Sequence, residues 1–239
     1  MKMKNKEADQ NDRRKRHKAE ISAAKKRKRG EPTFELDENY NEERQRILIV
    51  CEGENTEPSY FRQFRLTSGQ IVAVGAGCET IRVVERAEEE SRKEQYDQIW
   101  VVFDKDDFDA QDFNAAIVRA KNNGFGVAYS NQAFEYWLVL HFDDHQGGGM
   151  HRDEYEGKIN EHLFKYGLFY DGKESKIVTE GIFDLLLAFE PKSNTRRIHL
   201  AIRRAKRIFD SYDHYSPAKE ESSTAVFLLV EEILKNINI

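Results

Sequence analysis

Cysteine is scarce in this chain and long apolar runs are missing. The two cysteines, Cys51 and Cys78, are too few for a disulfide framework or a thiolate zinc cage, which points to a reducing compartment such as the cytoplasm. No run reaches the ~18 to 20 apolar residues that cross a bilayer, and the N-terminus lacks the apolar core of a secretory signal. No membrane association and no export are expected. The 239 residues are enough for one large domain or two modest ones, each with its own core.

The net charge of −5 hides an uneven division. Residues 1–29 hold 13 Lys and Arg against 4 Asp and Glu, a net +9, which leaves −14 on the rest of the chain. This is the pattern of a basic arm on an acidic body. With almost nothing apolar to bury, residues 1–43 are expected to form a flexible leader or a helix made on contact. Attraction to phosphate and simple solvation both account for such a leader.

Beyond it, strand and helix signals alternate. Strands are expected at Arg46–Cys51, Ile71–Val74, Gln98–Phe103 and Gly124–Tyr129. Helices are expected from Glu57 with Pro58 in the first turn, at Thr80–Gln95 and at Phe113–Asn122. Ser130 or Asn131 is placed to cap an almost wholly apolar helix running to Phe142. The alternation predicts an α/β fold, a Rossmann-like parallel sheet flanked by helices, over residues 44–145. The glycine-rich stretch 143–149 reads as a linker. Residues 150–239 read as a mainly helical subdomain, with helices near 153–167, 180–189, 195–212 and 224–236.

Carboxylates cluster directly after the first and third strands, at the sheet edge where such folds bind ligands. Glu52, Asp104 and Asp106 would offer an oxygen-only site suited to Mg2+ or Mn2+, able to act on a phosphodiester. Asp104 and Asp106 share a face if the segment stays extended, while Asp107 points away until the chain turns. Glu57 is either a supporting ligand or a favourable charge at a helix start. Glu135 sits in an otherwise apolar helix and needs a partner, a cation or an arginine. His141, about 240° around that helix from Glu135, reads as a core histidine. Arg62 and Arg65, with Arg196, Arg203 and Arg207 recurring along one helix, are candidates to contact nucleic-acid phosphates.

The combination of Glu-Gly-x-x-x-Glu, Asp-x-Asp and a later acidic residue resembles the Toprim domain of topoisomerases, primases and overcoming-lysogenization-defect nucleases. From about residue 44 onward, three stretches look like the RloB family: Ile-Val-Cys-Glu-Gly-Glu-Asn-Thr-Glu-Pro-Ser-Tyr-Phe, Val-Phe-Asp-Lys-Asp-Asp-Phe and Ser-Asn-Gln-Ala-Phe-Glu-Tyr-Trp-Leu-Val-Leu-His-Phe. Ser222-Ser223-Thr224-Ala225-Val226 through Glu231-Glu232 resembles that family's ending. The resemblance implies a Toprim-like, metal-dependent nuclease acting on DNA or RNA in bacterial anti-phage defence and abortive infection, often beside an AAA or ABC-type ATPase. It would make Glu52 an acid/base or metal carboxylate, Asp104 and Asp106 the magnesium ligands, and Glu135 a further ligand. Gln132 stands where the family pattern has proline, a change expected to loosen that turn. Two other readings remain open: a catalytically inactive nucleic-acid-binding or sensor subunit of an ATPase complex, and a phosphoryl acceptor. The second is disfavoured because Lys121 is poorly placed for it.

Overall fold

The computed structural model describes residues 45–106, 109–146 and 148–237, so the leader and Asp107 lie outside the described residues. Four parallel strands form the central sheet in the order β2-β1-β3-β4: β1 Gln45–Cys51, β2 Gly69–Gly75, β3 Gln98–Lys105 and β4 Gly126–Asn131. The first and third strands are neighbours, with Ile47 opposite Gln98 and Cys51 opposite Val102. That adjacency brings the two carboxylate-bearing strand ends together.

β1 is apolar without alternation because both of its faces are covered. Ile47, Ile49 and Cys51 join one buried cluster, while Leu48 and Val50 join another on the opposite side. Each such side chain contributes roughly 1.5–3 kcal/mol by leaving water. The Leu48 side is covered by α2 (Thr80–Lys93) and α3 (Ala110–Asn122). In α2 the buried positions Thr80, Val83, Val84 and Ala87 fall at helical spacing, which leaves the charged majority facing water. Asp109 caps α3 by accepting the Gln111 N–H at 2.7 Å.

The Ile47 side is covered by α1 (Thr56–Phe61), α4 (Glu135–Val139), α5 (Tyr155–Leu163), α6 (Glu180–Leu187), α7 (Arg197–Phe209) and α8 (Val226–Leu234). A short antiparallel pair, β5 (Phe189–Glu190) and β6 (Thr195–Arg196), joins α6 to α7. The helical C-terminal part therefore packs into the same core as the sheet, and the described residues all fall within one compact unit, Glu43–Ile239. Tyr60 of α1 meets Phe134 just before α4 edge to face at 5.5 Å, and Phe183 of α6 likewise at 5.5 Å. This aromatic knot sets α1 and α4, which carry Glu57 and Glu135, against one another.

One local expectation is corrected. Ser130 and Asn131 do not cap a helix; they end β4, and α4 begins only at Glu135. The cause is a long-range pairing. Asn131 N–H donates to Ser223 O (2.8 Å), Ala225 N–H to Tyr129 O (2.7 Å), and the Ser130 and Thr224 hydroxyls lie 2.9 Å apart. The Ser-Ser-Thr-Ala segment thereby covers the outer edge of β4. Nor does Gln132 leave its turn loose, since its amide accepts from Arg152 N–H (2.9 Å) and donates to Glu221 (2.5 Å).

Candidate functional site

Glu52 continues β1 past its last strand residue. Its N–H donates to Val102 O (2.8 Å), while its own carbonyl accepts from Gly77 N–H (3.0 Å). The side chain accepts from the Asp104 N–H at 2.9 Å and from the hydroxyl of Thr80, the first residue of α2, at 3.2 Å. Burial pushes its carboxyl above the ordinary carboxylate range and the charge of Asp106 adds to this, against the opposing pull of the Asp104 N–H and Thr80. Arg152 reaches Asp106 at 3.6 Å.

Strand alternation directs Asp104 to the Val102 face, toward α1 and α4. Its Oδ1 is fully buried with no hydrogen-bond partner. Burial raises its carboxyl well above the usual range, and Glu57, Glu135 and Glu52 raise it further, against the opposing pull of the Phe134 N–H. Glu57, buried in the first turn of α1, is pushed up to about 7. Burial is again the main cause; its own N–H and that of Gly53, 3.1 Å from Oε1, pull the other way, and Glu135 adds repulsion. A Cβ at Gly53 would lie 2.4 Å from Glu57 Oε2, so any larger residue there would displace the Glu57 carboxylate.

Glu135 has a partner that neither sequence alternative named. The Tyr170 hydroxyl donates to its Oε1 at 2.7 Å and lies 3.0 Å from Thr56 Oγ1. The carboxylates thus fall into two neighbouring groups, Asp104 with Glu57 and Glu135, and Glu52 with Asp106 and Arg152. The extended segment on which Asp104 and Asp106 would share a face ends at Lys105, and the chain bends at Asp106.

Among the described residues, no three His, Cys, Asp or Glu side chains are set as a ready-made metal cage. The donors nevertheless fit a hard cation in kind: all are oxygens, and one is a buried acceptor without a donor. Full ligation would require Glu52 and Glu57 to exchange their N–H and hydroxyl partners for the ion.

Beside these groups lies a cleft of about 420 Å³ lined by Glu135, Arg152, Lys173 and Lys176, among others. The loop carrying the two lysines is built by Asp171, whose carboxylate accepts the N–H groups of Lys173, Glu174 and Ser175 at 3.0–3.1 Å and is held down to about 2 by them. No sequence period marked Arg152, Tyr170, Lys173 or Lys176, which belong to irregular segments or a single-turn helix.

The arginines singled out from sequence are placed elsewhere. Arg62 Nε donates to Ala73 O (3.0 Å), and Arg65 lines a separate hollow with Glu180 and Asp184. Arg207 pairs with Asp144 at 2.6 Å, and Arg196 stacks over Phe189. Arg203 lines a concavity of about 760 Å³ between Trp100, α7 and α8. That hollow lies toward the amino half of β3, away from the carboxylates. His141 is a core histidine: Nδ1 lies 2.9 Å from Trp137 O, and burial lowers its pKa to about 3. Among the described residues no helix is long and apolar enough to cross a membrane.

The family model described as RloB-like protein matches residues 47–233, which takes in all but the first two residues of the sheet, both carboxylate groups and all but the last residue of the C-terminal helices. No curated protein and no solved structure matches the chain.

Proposed function

The chain belongs to the RloB-like protein family, and from that premise we propose that it is a Mg2+- or Mn2+-dependent nuclease that hydrolyses phosphodiester bonds as an effector of bacterial anti-phage defence. The observation that carries the reading is the buried, unpartnered Oδ1 of Asp104 among Glu57, Glu135 and Glu52 at the carboxyl edge of a parallel sheet. Carboxylates are seldom gathered in this way without a cation to offset their repulsion. A bound divalent ion would polarise the phosphodiester and activate a water.

Asp104, Glu135 and Glu57 would hold the ion, with Glu52 and Asp106 approaching from the other group. Thr80 orients Glu52 and Tyr170 orients Glu135. Arg152, Lys173 and Lys176 would draw the phosphate backbone into the cleft against the acidic charge of the body. An AAA or ABC-type ATPase is the proposed partner that licenses cutting.

A second reading, a binding or sensor subunit without catalysis, is favoured by the hydrogen bonds that already engage Glu52 and Glu57. Thermal unfolding with increasing Mn2+ or Mg2+ tests the shared premise, because a ligand held only by the native state adds about 2.7 kcal/mol at 100-fold its Kd. Wild type should show a rising midpoint that Asp104→Asn and Glu135→Gln abolish, and metal-dependent cleavage of DNA or RNA should vanish in the same variants. A rise without cleavage, even with the ATPase supplied, would favour the binding subunit. No rise in wild type would overturn the metal site itself.

A further inference from the structure

A strip of surface not used by the carboxylates begins where α5 ends. Phe164, Tyr166 and Phe169 are 64%, 50% and 55% exposed. Phe164 and Phe169 lie nearly parallel with ring centres 6.0 Å apart. Phe189 of β5, 52% exposed, lies under the Arg196 guanidinium, 4.7 Å from its ring centre. Arg197 ties the two parts together, donating to the Tyr166 hydroxyl (3.0 Å) and to Phe189 O (3.1 Å).

These rings stand on a built segment. Gly167, at φ 69°, reverses the chain, and Leu168 N–H returns to Leu163 O at 3.2 Å. Asn160 of α5 then clamps Tyr170 from both sides, accepting its N–H and donating to its carbonyl, each at 2.8 Å. Rings left half in water forgo part of the gain of burial, and clustered exposure of this kind marks an interaction surface.

The direction of the strip identifies its occupant. Phe169 is followed immediately by Tyr170, whose hydroxyl holds Glu135, and then by Lys173 and Lys176 on the rim of the same cleft. Rings alternate with cations, since Lys165 lies within the segment and Arg196 over its far end. We propose that Phe164, Tyr166, Phe169 and Phe189 form a stacking platform for the unpaired bases of a single-stranded polynucleotide, whose backbone continues past Lys173 and Lys176 to Glu135 and Asp104.

Unpaired bases offer their faces to aromatic rings, whereas a duplex hides them, and stacking of this kind is tolerant of sequence. Lys165 and Arg196 on the strip, with Lys173 and Lys176 beyond it, match a phosphate backbone that runs beside stacked bases. The proposal rests on the phosphodiester reading of the carboxylates and narrows it to single strands, with RNA and DNA sharing the chemistry.

The test is fluorescence anisotropy of the full chain with labelled oligothymidylate, oligouridylate and a blunt duplex. Roughly 0.3 M salt suppresses sequence-independent phosphate attraction. Wild type should bind the single strands more tightly than the duplex. Phe164→Ala/Phe169→Ala should weaken single-strand binding on the order of 10- to 100-fold while leaving duplex binding and the manganese-dependent rise in midpoint unchanged. Phe169→Trp should retain single-strand binding, and the stronger of the two oligonucleotides identifies RNA or DNA.

Equal affinity of wild type and the double variant overturns the platform, as does equal affinity for duplex and single strand. A wild-type dimer that the double variant converts to monomer overturns it in favour of self-association. If the platform binds as expected but metal gives no rise in midpoint, the hydrolytic reading fails and the binding surface stands.

Discussion

At the scale of single residues, the carboxylates of this protein are held in tension with their surroundings. Glu57 has an ordinary pKa of 4.5 and is raised to about 7 in the folded chain. Between those values the native state keeps a proton that the unfolded state has lost, so metal-free stability falls as pH rises through the window. A rise of this size corresponds to a fall of about 3 kcal/mol, shared among the carboxylates that repel one another here, and Asp104 is raised in the same direction. His141 has the opposite sign: lowered from 6.5 to about 3, it contributes stability that is lost as pH falls below 6.5. Melting curves of wild type and Glu57→Gln, without metal, should therefore diverge between about pH 4.5 and 7, the variant declining less. Parallel curves would mean that Glu57 titrates as an exposed carboxylate does. Because a cation must displace these protons, apparent Mn2+ affinity should also rise with pH in the wild type.

At the scale of elements, α5 governs the site through one side chain. The buried Asn160 makes both of its amide bonds to the backbone of Tyr170, ten residues on in an irregular stretch. Asn160→Ala leaves a buried N–H and a carbonyl unpaired, a loss of about 2–3 kcal/mol in urea unfolding. It should also release Tyr170 from Glu135, so a double-mutant cycle with Tyr170→Phe should show coupling; strict additivity would separate the clamp from the site. The same contrast explains what the sequence makes legible. The apolar run of β1 and the Thr80, Val83, Val84, Ala87 spacing of α2 record local periods, so the strands, most helices and the strand-end acids Glu52 and Asp104 can be read directly. Tyr170 reaches Thr56 across 114 residues and Glu135 across 35, and such pairings leave no period. The expectation of a helix cap at Ser130 or Asn131 fails for a related reason, since what holds them in β4 is the distant segment around Thr224.

At the scale of the whole molecule, charge is divided between a +9 stretch in residues 1–29 and a −14 remainder. An acidic body repels polynucleotides at long range, so a nuclease built on it needs a source of attraction. The basic stretch is proposed as that source, acting by release of condensed counterions, a contribution that depends on salt and ignores sequence and strandedness. The RloB-like match begins only at residue 47, so removing residues 1–43 should leave the melting temperature of the body unchanged. The same deletion should weaken single-strand and duplex binding alike and reduce the slope of log affinity against log salt, by about 0.7 for each single-strand phosphate that the leader neutralises. The ring substitutions should do the reverse, lowering single-strand affinity at unchanged slope, because stacking displaces few ions. Titrations at several salt concentrations on the truncated chain and on Phe164→Ala/Phe169→Ala separate the two contributions. A truncated chain with the wild-type slope would place the phosphate attraction in the cleft, on Arg152, Lys173 and Lys176, and would reduce the leader to a solvated tail.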